Sequence, residues 1–205
     1  MNMKKILLVL AANITLIFGF RAQAQEYVDL GLRVNWAAYN VGAKSMVDTG
    51  LGLFLGTKYG FRWGVNPFKE GIMVNHEKDY TGNAEFDAAT DAWGAAWRTP
   101  TYSEWSELIE RCTWKWCKFT DPNGVKSAGY EVTGPNGNKI YLPAAKIDGF
   151  PFMGLYQCST PVTGSDRLYC LMFKNGKFYL EKYKYISTIG ASFFPFYNRP
   201  VTNKE

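Results

Sequence analysis

The clearest periodicity in the chain lies in "RTPTYSEWSELIERC". Trp105, Leu108, Ile109 and Cys112 recur at i, i+3, i+4 and i+7, which sets four apolar side chains on one stripe of a helix. Glu104, Ser106, Glu107 and Glu110 fill the remaining positions and are expected on the wet side. Thr101 and Glu104 have the Thr-x-x-Glu spacing of a capping box, and Pro100 holds Thr99 extended, so the helix starts abruptly. A shorter helix is expected over "DAATDAWG", capped by Asp87 and ended by Gly94 in a left-handed conformation.

Elsewhere the pattern changes to short aromatic-rich runs punctuated by glycine, the signature of strands joined by tight turns. In "YEVTGPNGNKIYL" a three-residue Pro135-Asn136-Gly137 loop sets Val132 opposite Ile140 and Tyr130 opposite Leu142, with Gly137 in the left-handed position. "YCLMFKNGKFYLEKY" predicts a second hairpin about Asn175-Gly176. A third is expected around Thr163-Gly164-Ser165, and centring it on Gly164 sets Cys158 across from Cys170. Opposed strand residues lie close enough for a disulfide; the alternative is two buried thiols. Cys112 and Cys117 could also pair around a tight corner after the helix.

The first residues follow another logic. Lys4 and Lys5 precede an apolar run from Ile6 to Phe20, and Ala22-Gln23-Ala24 closes it. This is the pattern of a secretory leader, so residues 1–24 are read as a signal peptide and 25–205 as a single domain. Contact with the membrane is then expected only through the cleaved leader. Lys4, Lys5 and Arg21 all lie within it, so three of the five net positive charges leave with it. The other basic residues are scattered apart from Lys182 and Lys184, which gives nucleic-acid binding no support. Export also permits disulfides among Cys112, Cys117, Cys158 and Cys170. Asp79, Glu85, Asp87 and Asp91 do not have calcium-loop spacing, and His76 is the only histidine. No metal and no other cofactor are expected.

Several stretches, in order, carry a resemblance. "EYVDLGLRVNWAAYNVGA", "YGFRWG", "DAATDAWGAAWRTPTYSEWSELIERCTWKW", "YEVTGPNGNKIYLPAA" and the terminal "NRPV" resemble successive blocks of the Fibrobacter-type major paralogous domain, a group of secreted bacterial domains. That group is similar to sulfatase-modifying, formylglycine-generating proteins and to C-type-lectin-like domains, with Arg98, Pro100, Thr101, Glu104 and Trp105 matching the shared signature. The resemblance implies an α+β fold of the C-type-lectin-like class: two helices, short twisted antiparallel sheets, long loops and neighbouring termini. The chain departs from the family at "GLYQCST", where Gln157 and Cys158 replace Trp and Ser, and after "YGFRWG", where the usual Gly-Glu is missing. Both departures are expected near a variable surface.

Formylglycine generation needs an activated thiol pair, and the surroundings of Cys158 and Cys170 do not resemble that catalytic segment. The chain is therefore expected to be a non-catalytic binding or adhesion module at the cell surface, with a glycan or a cell-surface protein as partner. The alternative is a structural or accessory subunit of a fimbrial or other surface assembly, with a formylglycine-generating-type oxidase as the less favoured alternative. Trp63, Tyr156 and Tyr197, on loop-like segments, are the candidate ligand contacts. Trp36, Trp93, Trp97, Trp105 and Leu108 are assigned to the core, and Arg98 and Arg199 to tying loops together.

Overall fold

Capping decides where both helices start. In the computed structural model, which describes residues 25–50, 81–84, 87–120, 126–146, 151–162, 167–174, 177–184 and 196–205, α1 spans Ala88–Trp93 and α2 spans Tyr102–Arg111. The Asp87 carboxylate accepts from the backbone N–H groups of Ala89 and Thr90, and Gly94 ends α1 with φ +88°, a region that costs glycine little. At α2 the capping box closes from both sides. Thr101 Oγ1 accepts from the Glu104 N–H at 3.3 Å, and Glu104 Oε2 accepts from the Thr101 N–H at 2.8 Å. Trp105 and Leu108 are fully buried, while Ile109 and Cys112 pack against the core from its margin.

Glu104 departs from its expected place on the wet side and is 5% exposed. The guanidinium of Arg98 forks onto its carboxylate, Nη1 to Oε2 at 2.8 Å and Nη2 to Oε1 at 2.6 Å, so the charge enters the interior paired.

Among the described residues nine strands follow: β1 Tyr27–Val28, β2 Val34–Ala37, β3 Thr113–Thr120, β4 Lys126–Thr133, β5 Lys139–Ala144, β6 Met153–Pro161, β7 Arg167–Lys174, β8 Lys177–Lys184 and β9 Val201–Asn203. They form three antiparallel sheets, β1-β2-β9, β3-β4-β5 and β6-β7-β8, so the architecture is α+β. The first sheet pairs the N-terminal region with the C-terminal end, Val34 opposite Asn203 and Trp36 opposite Val201. Isolated bridges join the pieces: Arg98 to Val201, Ala145 to Met153, and Tyr156 to Tyr197.

The β4–β5 hairpin has the expected register, with Val132 opposite Ile140 and Tyr130 opposite Leu142. Gly134 and Asn138 flank the Pro135-Asn136-Gly137 loop, joined by a 2.8 Å backbone hydrogen bond, and Gly137 has φ +86°. The side chains of Asn136 and Asn138 both donate to the Asp29 carbonyl at 2.8 Å, which docks the loop on the N-terminal segment. In the β7–β8 hairpin Lys174 faces Lys177, consistent with a two-residue connection; Asn175-Gly176 itself lies outside the described residues.

The cysteine geometry differs from expectation. Cys170 faces Gln157 rather than Cys158, and the register shifts between Gln157 and Pro161. Because strand side chains alternate, Cys158 shares the face of Tyr156, Leu171 and Phe173, while Cys170 takes the opposite face with Gln157. Both cysteines are buried thiols. No tight corner follows α2 either. Cys112 is its C-cap, and β3 runs straight on from Thr113. Five residues of strand place Cys117 roughly 16 Å farther along, well beyond disulfide reach of about 7 Å between α-carbons.

The core lies where α2 meets the three sheets. Trp105 packs on Trp36 at 4.8 Å and on Tyr156 at 5.9 Å between ring centroids, and Tyr156 stacks on Phe173 at 5.7 Å. The indole N–H of Trp105 donates to the Gln157 carbonyl at 2.9 Å, which pins α2 to β6. Trp36, Trp97, Trp105 and Leu108 are buried as expected, whereas Trp93 is only half-buried. Gln157 and Cys158, expected near a variable surface, are both buried. The Gln157 side chain accepts from Asn198 Nδ2 at 2.7 Å, so it takes part in the interior rather than in a variable surface.

Candidate functional site

The sheet β3-β4-β5 carries one face from the core out to solvent. In "TWKWCKFT" alternate residues Trp114, Trp116, Lys118 and Thr120 share that face. Cross-strand rows run Trp114–Val132–Ile140, then Trp116–Tyr130–Leu142, then Lys118–Ala128–Ala144. The first two rows are large, apolar and packed inward. In the third, two alanines leave room above the sheet. A fourth row, Thr120 opposite Lys126, extends past the end of β5.

There the surface opens into a groove of about 660 Å³. Its lining is Trp116, Lys118, Phe119, Thr120, Lys126 and Ser127 from the hairpin, with Lys146, Pro151 and Phe152 from the segments leading out of β5 and into β6. That volume falls within the range of small-molecule clefts, roughly 300–1,000 Å³. Contacts with Tyr130 at 5.1 Å and Phe173 at 6.1 Å hold the Trp116 ring, and Phe119, 38% exposed, meets Tyr141 edge-on at 5.0 Å. Lys146 Nζ sits 5.8 Å from the centroid of Phe152, within cation–π range. Among the described residues the lining holds three lysines and no carboxylate. Lys118 and Lys126 form no ion pair among the described residues.

A second hollow of about 550 Å³ lies beside the β1-β2-β9 sheet, between Tyr27, Asn35, Trp97 and the C-terminal residues. Two of its charges pair: Lys204 Nζ donates to Asp29 Oδ1 at 2.7 Å, and Glu205 also lines the hollow. That bond, with the Gly31 N–H, holds the Asp29 carboxyl below the usual carboxylate range.

The residues singled out in the sequence sit elsewhere. Trp63 lies outside the described residues. Tyr156 is within β6 rather than on a loop, and it is fully buried. Its hydroxyl donates to the Pro143 carbonyl at 2.7 Å and accepts from Asn40 Nδ2 at 3.3 Å. Burial pushes this phenol well above its ordinary range. Tyr197, 4% exposed, exchanges backbone hydrogen bonds with β6: Tyr197 N–H to Leu155 at 2.7 Å and Gln157 N–H to Tyr197 at 2.9 Å. Neither tyrosine lines the groove.

Arg98 and Arg199 do tie segments together. Arg98 joins Glu104 to Asn203 Oδ1, the latter at 3.0 Å. Arg199 is wholly buried and donates to the Asn40 side chain at 2.8 Å, to the carbonyls of Ala37 and Ala38 at 3.0 and 2.5 Å, and to the carbonyl of Tyr141 at 2.6 Å. Burial lowers its pKa to about 10, against the opposing influence of Tyr156, so it remains cationic at neutral pH.

The Cys112 thiol is pushed up to about 11 by burial, with Glu107 adding to the effect and Arg111 opposing it. Such a thiol is a poor nucleophile at neutral pH. Among the described residues no three His, Cys, Asp or Glu side chains converge as metal ligands would, and no helix is long and apolar enough to cross a membrane.

Nothing in the sequence reading pointed to the groove. Lys118, Lys126 and Lys146 are scattered along the chain, and only hairpin pairing assembles them. The period-two alternation of Trp114, Trp116 and Lys118 was the available signal. Comparison of the chain with protein-family models, with curated proteins and with solved structures finds no match in any of the three.

Proposed function

We propose that the chain is a secreted, non-catalytic binding module of the bacterial cell surface, with a C-type-lectin-like fold and a glycan as its ligand. The observation that carries this reading is the groove at the end of the β3–β4 hairpin, where aromatic side chains and lysines converge on an open surface. Small-molecule sites commonly combine an apolar, aromatic lining with a few polar groups that fix orientation. The fold assignment draws support from two helices, three small antiparallel sheets and adjacent terminal strands. It also draws support from the role of the Arg98–Glu104 pair, which gives the family's shared signature a structural reason. Secretion rests on the basic, apolar and small-residue pattern of residues 1–24.

The test is a glycan array probed with residues 25–205 and with Phe152→Ala, each shown to be folded by circular dichroism. Binding to one sugar class that disappears in Phe152→Ala supports the reading. A blank array from folded protein refutes the glycan ligand and leaves a role in a protein assembly.

A further inference from the structure

We propose that the outer edge of β3 docks a second copy of the chain, antiparallel to itself about a two-fold axis at Cys117. Hydrogen-bond alternation fixes which backbone groups that edge offers. Gly134 and Asn138 close the β4–β5 hairpin with a backbone hydrogen bond, so Val132, Tyr130 and Ala128 turn their N–H and C=O groups toward β5. The residues between and beside them, Glu131, Gly129 and Ser127, turn toward β3 and bond Lys115, Cys117 and Phe119. Trp114, Trp116 and Lys118 therefore point their N–H and C=O groups away from the sheet. Among the described residues no backbone hydrogen bond reaches these groups. On its other side the sheet continues from β5 into β6 through the Ala145–Met153 bridge. The β3 edge, eight residues long and half-buried to exposed throughout, is open to pairing.

Side-chain chemistry selects the partner and the register. Lysines on an edge strand ordinarily discourage pairing, and antiparallel copies centred on Lys115 or on Lys118 would set lysine directly against lysine. Centred on Trp116, Lys115 would face Cys117 and meet no ring. Centred on Cys117, Lys118 faces Trp116 and Lys115 faces Phe119, each twice by symmetry, so every lysine of the paired strands meets an aromatic side chain. The β3 sequence is thus complementary to itself in one register. In that register the two Cys117 residues form a non-hydrogen-bonded pair, with α-carbons about 4.5 Å apart. Disulfides span about 4.4–6.8 Å between α-carbons, so the facing thiols report whether the register is formed.

Sedimentation of residues 25–205 under reducing conditions should show a monomer–dimer equilibrium. Lys118→Pro removes an outward N–H that the β3–β4 ladder does not use, so the fold should persist. By symmetry it deletes two hydrogen bonds between the copies and should weaken dimerisation about tenfold or more. Hydrogen exchange on the wild type needs no variant: protection of the Trp116 and Lys118 amides should rise with protein concentration, while Lys115 and Cys117 stay protected throughout. Added oxidised glutathione takes up the two thiol hydrogens of a facing Cys117 pair, which yields a Cys117–Cys117 disulfide and two glutathione thiols. The dimer should then survive denaturant, and Cys117→Ser should still dimerise without becoming cross-linked. A monomer at every concentration overturns the proposal and leaves the edge to an extended segment of another protein. A dimer unchanged by Lys118→Pro, with no concentration-dependent protection at Trp116 and Lys118, overturns the β3 interface. A dimer sensitive to Lys118→Pro but never linked through Cys117 overturns the register.

Discussion

Replacing Glu104 with Gln isolates the charge in the pair that joins α2 to the strand bridge at Arg98. Glutamine at this position still completes a capping box, so the α2 start should persist. What changes is the fork: one carboxylate oxygen becomes an amide nitrogen facing the guanidinium that now donates at 2.8 and 2.6 Å. Removing one partner of a buried ion pair costs about 3–5 kcal/mol. Arg98 keeps 17% of its side chain exposed and retains Asn203 Oδ1. The lower end of that range applies, about 3 kcal/mol.

The pH dependence supplies a second reading of the same pair. Burial alone would raise the Glu104 pKa, but hydrogen bonds from Arg98 and Thr101 and the Arg98 charge outweigh it, so the net shift is downward. A carboxyl depressed on folding stabilises the native state above its unfolded pKa of about 4.3 and loses that contribution as pH falls through the folded value. Urea unfolding of wild type and Glu104→Gln at pH 7 and again in acid should therefore show a large gap that closes on acidification. A gap under about 1 kcal/mol at pH 7, the scale of an exposed pair, would refute the argument. So would a gap that is the same at both pH values.

Arg199→Met removes the donors that satisfy three backbone carbonyls and Asn40 Oδ1 in the interior. At about 1–3 kcal/mol for each buried group left unsatisfied, the loss should exceed about 4 kcal/mol by urea unfolding, and a loss under 1 kcal/mol would count against the assigned network. With its pKa near 11, Cys112 should react with iodoacetamide at pH 8 far more slowly than a solvent-exposed model thiol, as followed by mass spectrometry of the peptide that contains it. A rate matching the model thiol would show that burial does not hold the proton.

Features set by a few neighbouring residues were legible in advance. Asp87 and Thr101 start the helices because side-chain oxygens there meet unpaired N–H groups within the next three residues. Pro135-Asn136-Gly137 sets the β4–β5 register because a three-residue loop admits few conformations. The spacing of Arg98 and Glu104 is local too, although the burial of Glu104 was not: its charge gave no sign that Arg98 would fold back over it.

Other features depend on contacts between distant segments. Pro161 faces Leu168 near the turn and Gln157 faces Cys170 beyond the irregularity, so the register on neither side opposes Cys158 to Cys170, and the two take opposite faces. Tyrosine suits both a core and a binding surface, so residue type could not assign Tyr156 or Tyr197; their pairing through the Tyr156–Tyr197 bridge did. The groove is the plainest case. Its alanine gap, its aromatic walls and its lysines come from β3, β4, β5 and the approach to β6. The sequence alone determined the caps, the turns and the apolar stripe, since their hydrogen bonds and steric limits lie within a few residues. Which lysines meet, and over which aromatic rings, was decided by tertiary structure, because strand pairing brings together residues far apart along the chain.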